Sequence, residues 1–510
     1  MKKKNKIQVF NSIFWIGSSV ILNYMISFCI TPFITENIGT EAYGFVTLAK
    51  NIANYATVLT VALNSFGARF ISIEYHKENY EKANSYFSSI FYANVVLGAV
   101  LILLVIFPIY RLDHYLNIPL DIVRDVKILF LLDFINFMIM TIGNSFNAAA
   151  IINNRVDLTG KIKCLSYCSE ALFLLGVFTL FRPKVMYVGL GLIVSSIVLV
   201  ASNFAVTKKL TPKLKIRFRL FSLRAVKDLV INGIWNSINS LGNMMNHGID
   251  LWITNTMLSP LEMGQLAIVK TISTIFSSLF STISQPFQPL LIKAYATDDK
   301  QRLIRIFKDG IKMSGMFSNI AFAGFVSLGA VYYQLWTPSQ DSALLHSITI
   351  VAVLGAIIEG AVYPLYYTYT LTLKNKVPCF VTLASGSINI IAMLIWIKFF
   401  DYGLYGVVTT TAILSWVVNF IFNPQYAAHC LHIKRFTFYP ILFRHILSCI
   451  VMTFAFKFVT GFIYPSSWIG LIGTGALLFA IGVVIHMLCM FERNDYARIF
   501  KKYMRKNDTL

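Results

Sequence analysis

Residues 39–50, GTEAYGFVTLAK, and residues 259–270, SPLEMGQLAIVK, are two versions of one pattern, and each sets a lysine inside an otherwise apolar run. An offset of 270 − 50 = 220 aligns Gly44 with Gly264 and Lys50 with Lys270. It also pairs Asn54 with Thr274, Thr57 with Ser277, Asn64 with Ser284 and Ser65 with Gln285. A charge within hydrocarbon costs about 2.5–3.5 kcal/mol on insertion scales, so it turns toward a cavity or a partner. Two lysines at matched places of an internal repeat predict a cationic, hydrated chamber between two homologous halves, as a transporter of an anion would have. The alternative for each is snorkelling to a helix end, since each lies about six residues, near 9 Å, beyond its glycine.

The flanking chain sets the class. Of 510 residues 56% are hydrophobic and 13% charged, with a mean hydropathy of +0.66. A soluble fold could not hide that much apolar surface. Runs long enough to cross a bilayer number about fourteen. They lie near 9–32, 42–66, 86–108, 126–150, 164–182, 185–206, 229–256, 263–287, 310–335, 343–371, 378–400, 403–423, 441–463 and 467–490. The expected fold is an all-α polytopic membrane protein. Its start, MKKKNKIQVF, resembles a signal segment, but the apolar run continues to Pro32 without a small-residue cleavage site, so we read a retained first helix.

A net charge of +21 suggests nucleic acid until its placement is considered. Basic residues gather in the amino tail (Lys2, Lys3, Lys4, Lys6), at 69–82, 155–163, 208–227, 293–312, 374–376 and 434–444, and from 493 onward. The connections near 34–41, 257–262, 334–342 and 464–467 hold none. This is the positive-inside pattern; with an even number of spans it puts both termini in the cytoplasm. No nucleic-acid partner is expected.

Six spans precede the seventh, so both halves enter the membrane in the same sense, a parallel repeat. The expected division is an N-lobe at 1–206, a basic cytoplasmic linker at 207–228 and a C-lobe at 229–423. A cytoplasmic connection at 424–440, an extra helix pair at 441–490 and a basic tail at 491–510 follow. The linker alternates basic and apolar residues from 213 to 221, which suits a segment on the anionic inner leaflet as well as a solvated, topology-fixing linker. No outer loop exceeds roughly twenty residues, far short of a domain. A glycan polymerase or ligase would need a sizeable outer loop bearing acid/base carboxylates. With no phosphate-binding glycine loop and no nucleophile–base arrangement, no catalytic residue is expected. The seven cysteines lack zinc spacing and read as small apolar residues, and no metal site is expected.

Polar stripes run along single spans at steps of three and four, which places them on one helix face. The seventh carries Asn232, Asn236, Asn239, Asn243, Asn246, His247, Asp250 and Thr254; the first carries Ser12, Ser19, Asn23, Ser27 and Thr31. The second has Lys50, Asn54, Thr57 and Asn64, and the eighth Lys270, Thr274, Ser277, Ser281 and Gln285. In the fourth, Asp133, Asn136, Asn144 and Asn147 share a face. Such residues either glue helices together or line a wet cavity. The candidate cavity residues are Lys50, Lys270, Asn54, Thr274, Asn23, Asn236 and Asn243. Asp250, Glu359 and Asp133 are candidates for charge pairing or for coupling to H+ or Na+. Glu359 precedes Pro364, which is expected to kink its span. Glu170 is expected close enough to a helix end to be wet.

The polar first span ending in TPFITENIGTEAYGFVTLAK (31–50), the basic linker before NHGIDLWITNTMLS (246–259), and the spare helix pair at the end give the chain a likeness. It resembles the polysaccharide flippases of the multidrug/oligosaccharidyl-lipid/polysaccharide exporter (MOP) superfamily. One departure is Met263–Gly264–Gln265, where such proteins show glycine and then an aromatic. The resemblance implies a V-shaped pair of six-helix lobes opening alternately inward and outward. The cargo would be an oligosaccharide on polyprenyl diphosphate, carried across a bacterial cytoplasmic membrane for O-antigen- or capsule-type synthesis. Membrane lipids and the polysaccharide-assembly machinery would be partners, without an organic cofactor. A multidrug exporter of the same superfamily is the nearest rival, and would carry acidic rather than basic chamber residues.

Overall fold

The computed structural model describes residues 2–153 and 155–492, so the basic tail from 493 onward lies outside the described residues. Regular structure among them is helical throughout, as expected of an all-α membrane protein. The chain divides into two compact units: Met1–Ala267 with Thr382–Ile390, and Ile268–Val381 with Ile391–Leu510.

The first unit opens with α1 (Lys2–Asn37), α2 (Thr40–Tyr55), α3 (Thr57–Asn64), α4 (Gly67–His76) and the long α5 (Tyr80–Tyr110). A short α6 (Leu112–Tyr115) leads to α7 (Val123–Gly143) and α8 (Ala148–Ile152), then α9 (Val156–Leu180) and α10 (Met186–Leu210). Beyond the linker stand α11 (Leu223–His247) and α12 (Asp250–Met257). Helices α1, α2, α7, α10 and α9 pack in that order, and α9 returns to α1, so the five close a ring. Glycines let them approach: Gly160 of α9 abuts the backbone at Trp15 and Ile16, and Gly143 and Gly189 seat Val200 and Leu132. Small residues at crossings are how helices associate where lipid offers no hydrophobic drive. Helix α11 lies along α3 by the same device, with Gly233 against the Ala62 carbonyl and the Ser237 hydroxyl donating to the Val58 carbonyl at 2.7 Å.

Helix α13 (Pro260–Ser284) passes from the first unit into the second, which continues with α14 (Phe287–Ala296) and α15 (Lys300–Trp336). Then come α16 (Ser342–Val353), α17 (Ala356–Val362), α18 (Tyr367–Leu371), α19 (Lys376–Phe400), α20 (Gly403–Trp416) and α21 (Asn423–Cys430). The appended pair is α22 (Tyr439–Thr460) and α23 (Trp468–Met490). The 220-residue offset found in the sequence also governs these boundaries. It carries Thr40 to Pro260, α4 onto α14 end to end, Tyr80 to Lys300, and α9 onto α19 end to end. Even the turn chemistry repeats: Glu78 and Asp298 sit at φ 60° and 50°, and Asn79 and Asp299 cap α5 and α15 through the amides of Lys82 and Arg302.

Among the described residues, twelve helices are long and apolar enough to cross a membrane, or thirteen if α2 with the α3–α4 segment, bent by 45°, counts as one span. The sequence led us to expect about fourteen. The difference is the seventh run, which folds as α11 and α12: its row of asparagines and its break at Gly248–Ile249 keep it below that apolar standard.

The appended pair is fastened to α15 by polar groups set in an apolar cluster of Ile320, Ala323, Met452, Phe456 and Leu478. His445 and His486 are both fully buried. Nε2 of His445 meets the Ile357 carbonyl at 2.9 Å, Nε2 of His486 meets the Lys312 carbonyl at 2.9 Å, and the Asn319 amide donates to the His445 carbonyl at 3.1 Å. The bond to Lys312 ties α23 to α15 directly. His486→Leu removes it and leaves the Ser448 hydroxyl, 3.3 Å from Nδ1, without that partner; the expected loss is about 1–3 kcal/mol. Thermal unfolding of the purified variant should show a lowered transition, and a wild-type transition would deny His486 this role.

Candidate functional site

Lys50 stands ten residues into α2, because the helix begins at Thr40 and not at Gly44. That is about 15 Å along its axis, half of a bilayer's ~30 Å hydrocarbon. The residues around it, Phe45, Val46, Leu48, Ala49 and Ala53, are buried, so this part of α2 is packed into the ring, and Lys50 itself is half-exposed. Two carboxylates feel its charge: Asp133 on α7 and Glu170 on α9. Both are buried, at 2% and 5% exposure, so Glu170 is not the wet helix-end group the sequence suggested. Helix α1 separates α9 from α2 in the ring, so the reach to Glu170 runs through the interior of the unit.

The surroundings are polar in a restricted way. Glu170 lies near Ser195, whose hydroxyl is 2.8 Å from that of Ser166, both buried. Both carboxylate oxygens of Asp133 are buried and receive no hydrogen bond. Burial opposes the charge of such a carboxylate by several kcal/mol, and a cation within electrostatic range offsets part of that cost. Lys50 is such a cation.

Lys270 occupies the same place in the second unit, ten residues into α13 and half-exposed. Asn54 and Thr274, one turn on, are both exposed, and Thr274 donates to the Lys270 carbonyl at 2.9 Å. The acids are not repeated: the offset carries Asp133 to Val353 and Glu170 to Ile390. The two lysines are thus alike in position and different in their neighbours.

The asparagine row of α11 divides. Asn232, Asn236, Asn239 and Asn243 are exposed along one face, as is Asn23 on α1. Asn246 instead joins α11 to α19, donating to the Thr382 carbonyl at 3.0 Å and accepting from Ser385 at 3.0 Å, while Asn389 donates to its carbonyl. Asp250 leaves the exposed face altogether. It is 7% exposed at the start of α12, where it accepts from the Leu251 amide at 2.9 Å. Its charge is felt by Tyr55, whose buried hydroxyl has no hydrogen-bond partner and abuts Gly248. Glu359 is half-buried on α17, and Pro364 lies in the 3₁₀ turn Tyr363–Tyr366 that interrupts its span. Among the described residues, no group of three His, Cys, Asp or Glu side chains could hold a metal.

A protein-family model described as "Polysaccharide biosynthesis protein" matches residues 9–295, more than half of the chain. The chain belongs to that family. Over 489 residues it is 26% identical to the uncharacterized membrane protein EpsK of Bacillus subtilis (strain 168), covering 96% of each. Its fold is similar to an inward-facing multidrug resistance MATE family transporter of the MOP superfamily, with a TM-score of 0.70 at 13% identity. That match covers 81% of this chain and 95% of the other. It is also similar to the lipid II flippase MurJ in an inward closed conformation, with a TM-score of 0.62 at 16% identity, over 91% of this chain and 99% of that one. Such identities establish shared fold. Family and fold together make this a multi-pass membrane protein of polysaccharide biosynthesis.

The charge trio predicts a specific double-mutant result. Lys50→Gln leaves Asp133 and Glu170 buried without their cation, whereas Lys50→Gln with Asp133→Asn removes opposite charges together. The double variant should recover about 0.5–3 kcal/mol relative to the sum of the single losses, read by thermal unfolding in detergent. Strict additivity would mean that the two groups do not interact.

Proposed function

We propose that this polysaccharide biosynthesis protein moves a polyprenyl-diphosphate-linked oligosaccharide from the cytoplasmic to the outer leaflet of a bacterial cytoplasmic membrane. It does so by alternating access, with both termini in the cytoplasm. The alternating basic connections support that orientation.

The observation that carries the proposal is the half-exposed Lys50, ten residues into α2 and within electrostatic range of two buried acids. A diphosphate cannot enter hydrocarbon without compensation, since burying unpaired charge is prohibitive. A lysine is a compact point charge suited to phosphate. Asp133 and Glu170 steady it between cargoes, and an arriving diphosphate competes with them for it. Lys270 offers a second ammonium in its own unit. Exposed Asn23, Asn54, Asn236, Asn243 and Thr274 supply amide and hydroxyl groups of the kind that bind sugars. A cationic drug would gain nothing from the two lysines. The role is transport, with no catalytic step assigned.

Outward movement of negative charge along an inside-negative potential gains about 2.3 kcal/mol per charge per 100 mV. The headgroup can therefore be driven without nucleotide hydrolysis. Coupling to H+ or Na+ through Asp133, Asp250 or Glu359 is the second route, supported by the two unpartnered oxygens of Asp133.

Proteoliposomes holding a fluorescent lipid-linked oligosaccharide provide the test. Combining Lys50→Gln, Asp133→Asn and Lys270→Gln should lower the flipping rate at least tenfold with normal insertion and monodispersity. An unchanged rate would remove the lysines from transport.

A further inference from the structure

Two spans of the first unit break close together. Helices α3 and α4 part at Ser65–Phe66, and α7 passes into α8 through the 3₁₀ turn Asn144–Asn147. Between the breaks lies an open-sided cavity of about 380 Å³, lined by Asn64, Ser65, Asn144, Ser145 and Asn147 with the apolar faces of Ile71, Ile90 and Ile151. No charged residue lines it. Behind this lining the amides are tied together: Asn64 and Asn94 exchange bonds of 2.9 and 3.1 Å, Asn94 donates to the Thr141 carbonyl, and Asn203 donates to Asn147. Ser145 is 3% exposed and its hydroxyl has no partner.

Polar side chains often do no more than satisfy the backbone groups of a broken helix. The internal repeat shows that this break does not require them. At the 220-residue offset, α13 and α14 part at the matching place, and the turn Tyr363–Tyr366 interrupts the matching span. The Asn64–Asn94 link survives there as a 3.0 Å bond between Ser284 and Ser314. Yet the partners of Asn144, Ser145 and Asn147 are Pro364, Leu365 and Tyr367. Leu365 is fully buried in one apolar cluster with Leu291, the counterpart of Ile71. The second unit fills the space with hydrocarbon, and the first keeps it open and lined with amides and hydroxyls.

We propose that this cavity binds one sugar ring of the cargo. Its volume is near the lower end of small-molecule sites, about 300–1,000 Å³, which suits a ring and not a whole oligosaccharide. Amide groups that both donate and accept match sugar hydroxyls, while the isoleucines suit the apolar face of the ring. The absence of a lining cation makes it a site for the neutral part of the headgroup, separate from the diphosphate at Lys50. This rests on the reading that the cargo is a lipid-linked oligosaccharide.

The test titrates the full-length protein in lipid nanodiscs with the methyl glycosides of glucose and of N-acetylglucosamine, followed by saturation-transfer NMR. At least one glycoside should bind saturably, weakened at least tenfold by Asn144→Leu and at least threefold by Ser145→Ala. Ser145→Ala removes a single unbonded hydroxyl, so the answer survives even if Asn144→Leu is unstable. Failure of both glycosides to bind, or binding that Ser145→Ala leaves intact, overturns the proposal. Lipid-linked oligosaccharide flipping without glycoside binding counts against this site alone. Glycoside binding that responds to the variants, without flipping, counts against the transport reading alone.

Discussion

The electrostatic relation of Lys50 to Asp133 and Glu170 is the constraint around which the first unit is arranged. Lys50 on α2 stands within electrostatic range of two buried acids, Asp133 on α7 and Glu170 on α9, all in one five-helix ring. Taking any one away leaves an uncompensated group, which costs more than the assembled set contributes to stability. Such an arrangement is poorly justified as a stabilising device. Under the proposed function it is a half-exposed cation held ready for an incoming anion.

Asymmetry between the two copies of the repeat is where function is most visible. Backbone features carry over at one offset: helix starts, left-handed turn residues, capping side chains and a broken span. What differs is chemistry. The first copy holds two acids near its lysine and an amide-lined cavity; the second has Val353 and Ile390 at the acid positions and Leu365 in place of Ser145. A shared scaffold with unequal polar content leaves the first unit with acids and an amide-lined cavity where the second has apolar side chains at the matching positions.

Much of the fold was legible in the chain itself. Long apolar runs and matched lysines gave the all-α membrane class and the repeat, since both follow from hydropathy and spacing. The seventh span was harder, because its asparagine row serves two ends: four residues are exposed, while Asn246 is helix glue and Asp250 is buried at the start of α12. Periodicity assigns all of them to one face and is blind to the break at Gly248. Glu170 was misplaced for a different reason. Its burial comes from α10 and the ring, contacts made across long sequence distances. The cavity was hidden likewise, although the density of asparagine at 64, 94, 144, 147 and 203 was a usable signal.

The most direct measurement of the central claim compares binding of a polyprenyl diphosphate and the uncharged polyprenol to the purified protein by native mass spectrometry. The account predicts that the diphosphate binds at least tenfold tighter, and that the preference disappears when Lys50→Gln is combined with Asp133→Asn. Equal binding of the two lipids by the wild-type protein would contradict it.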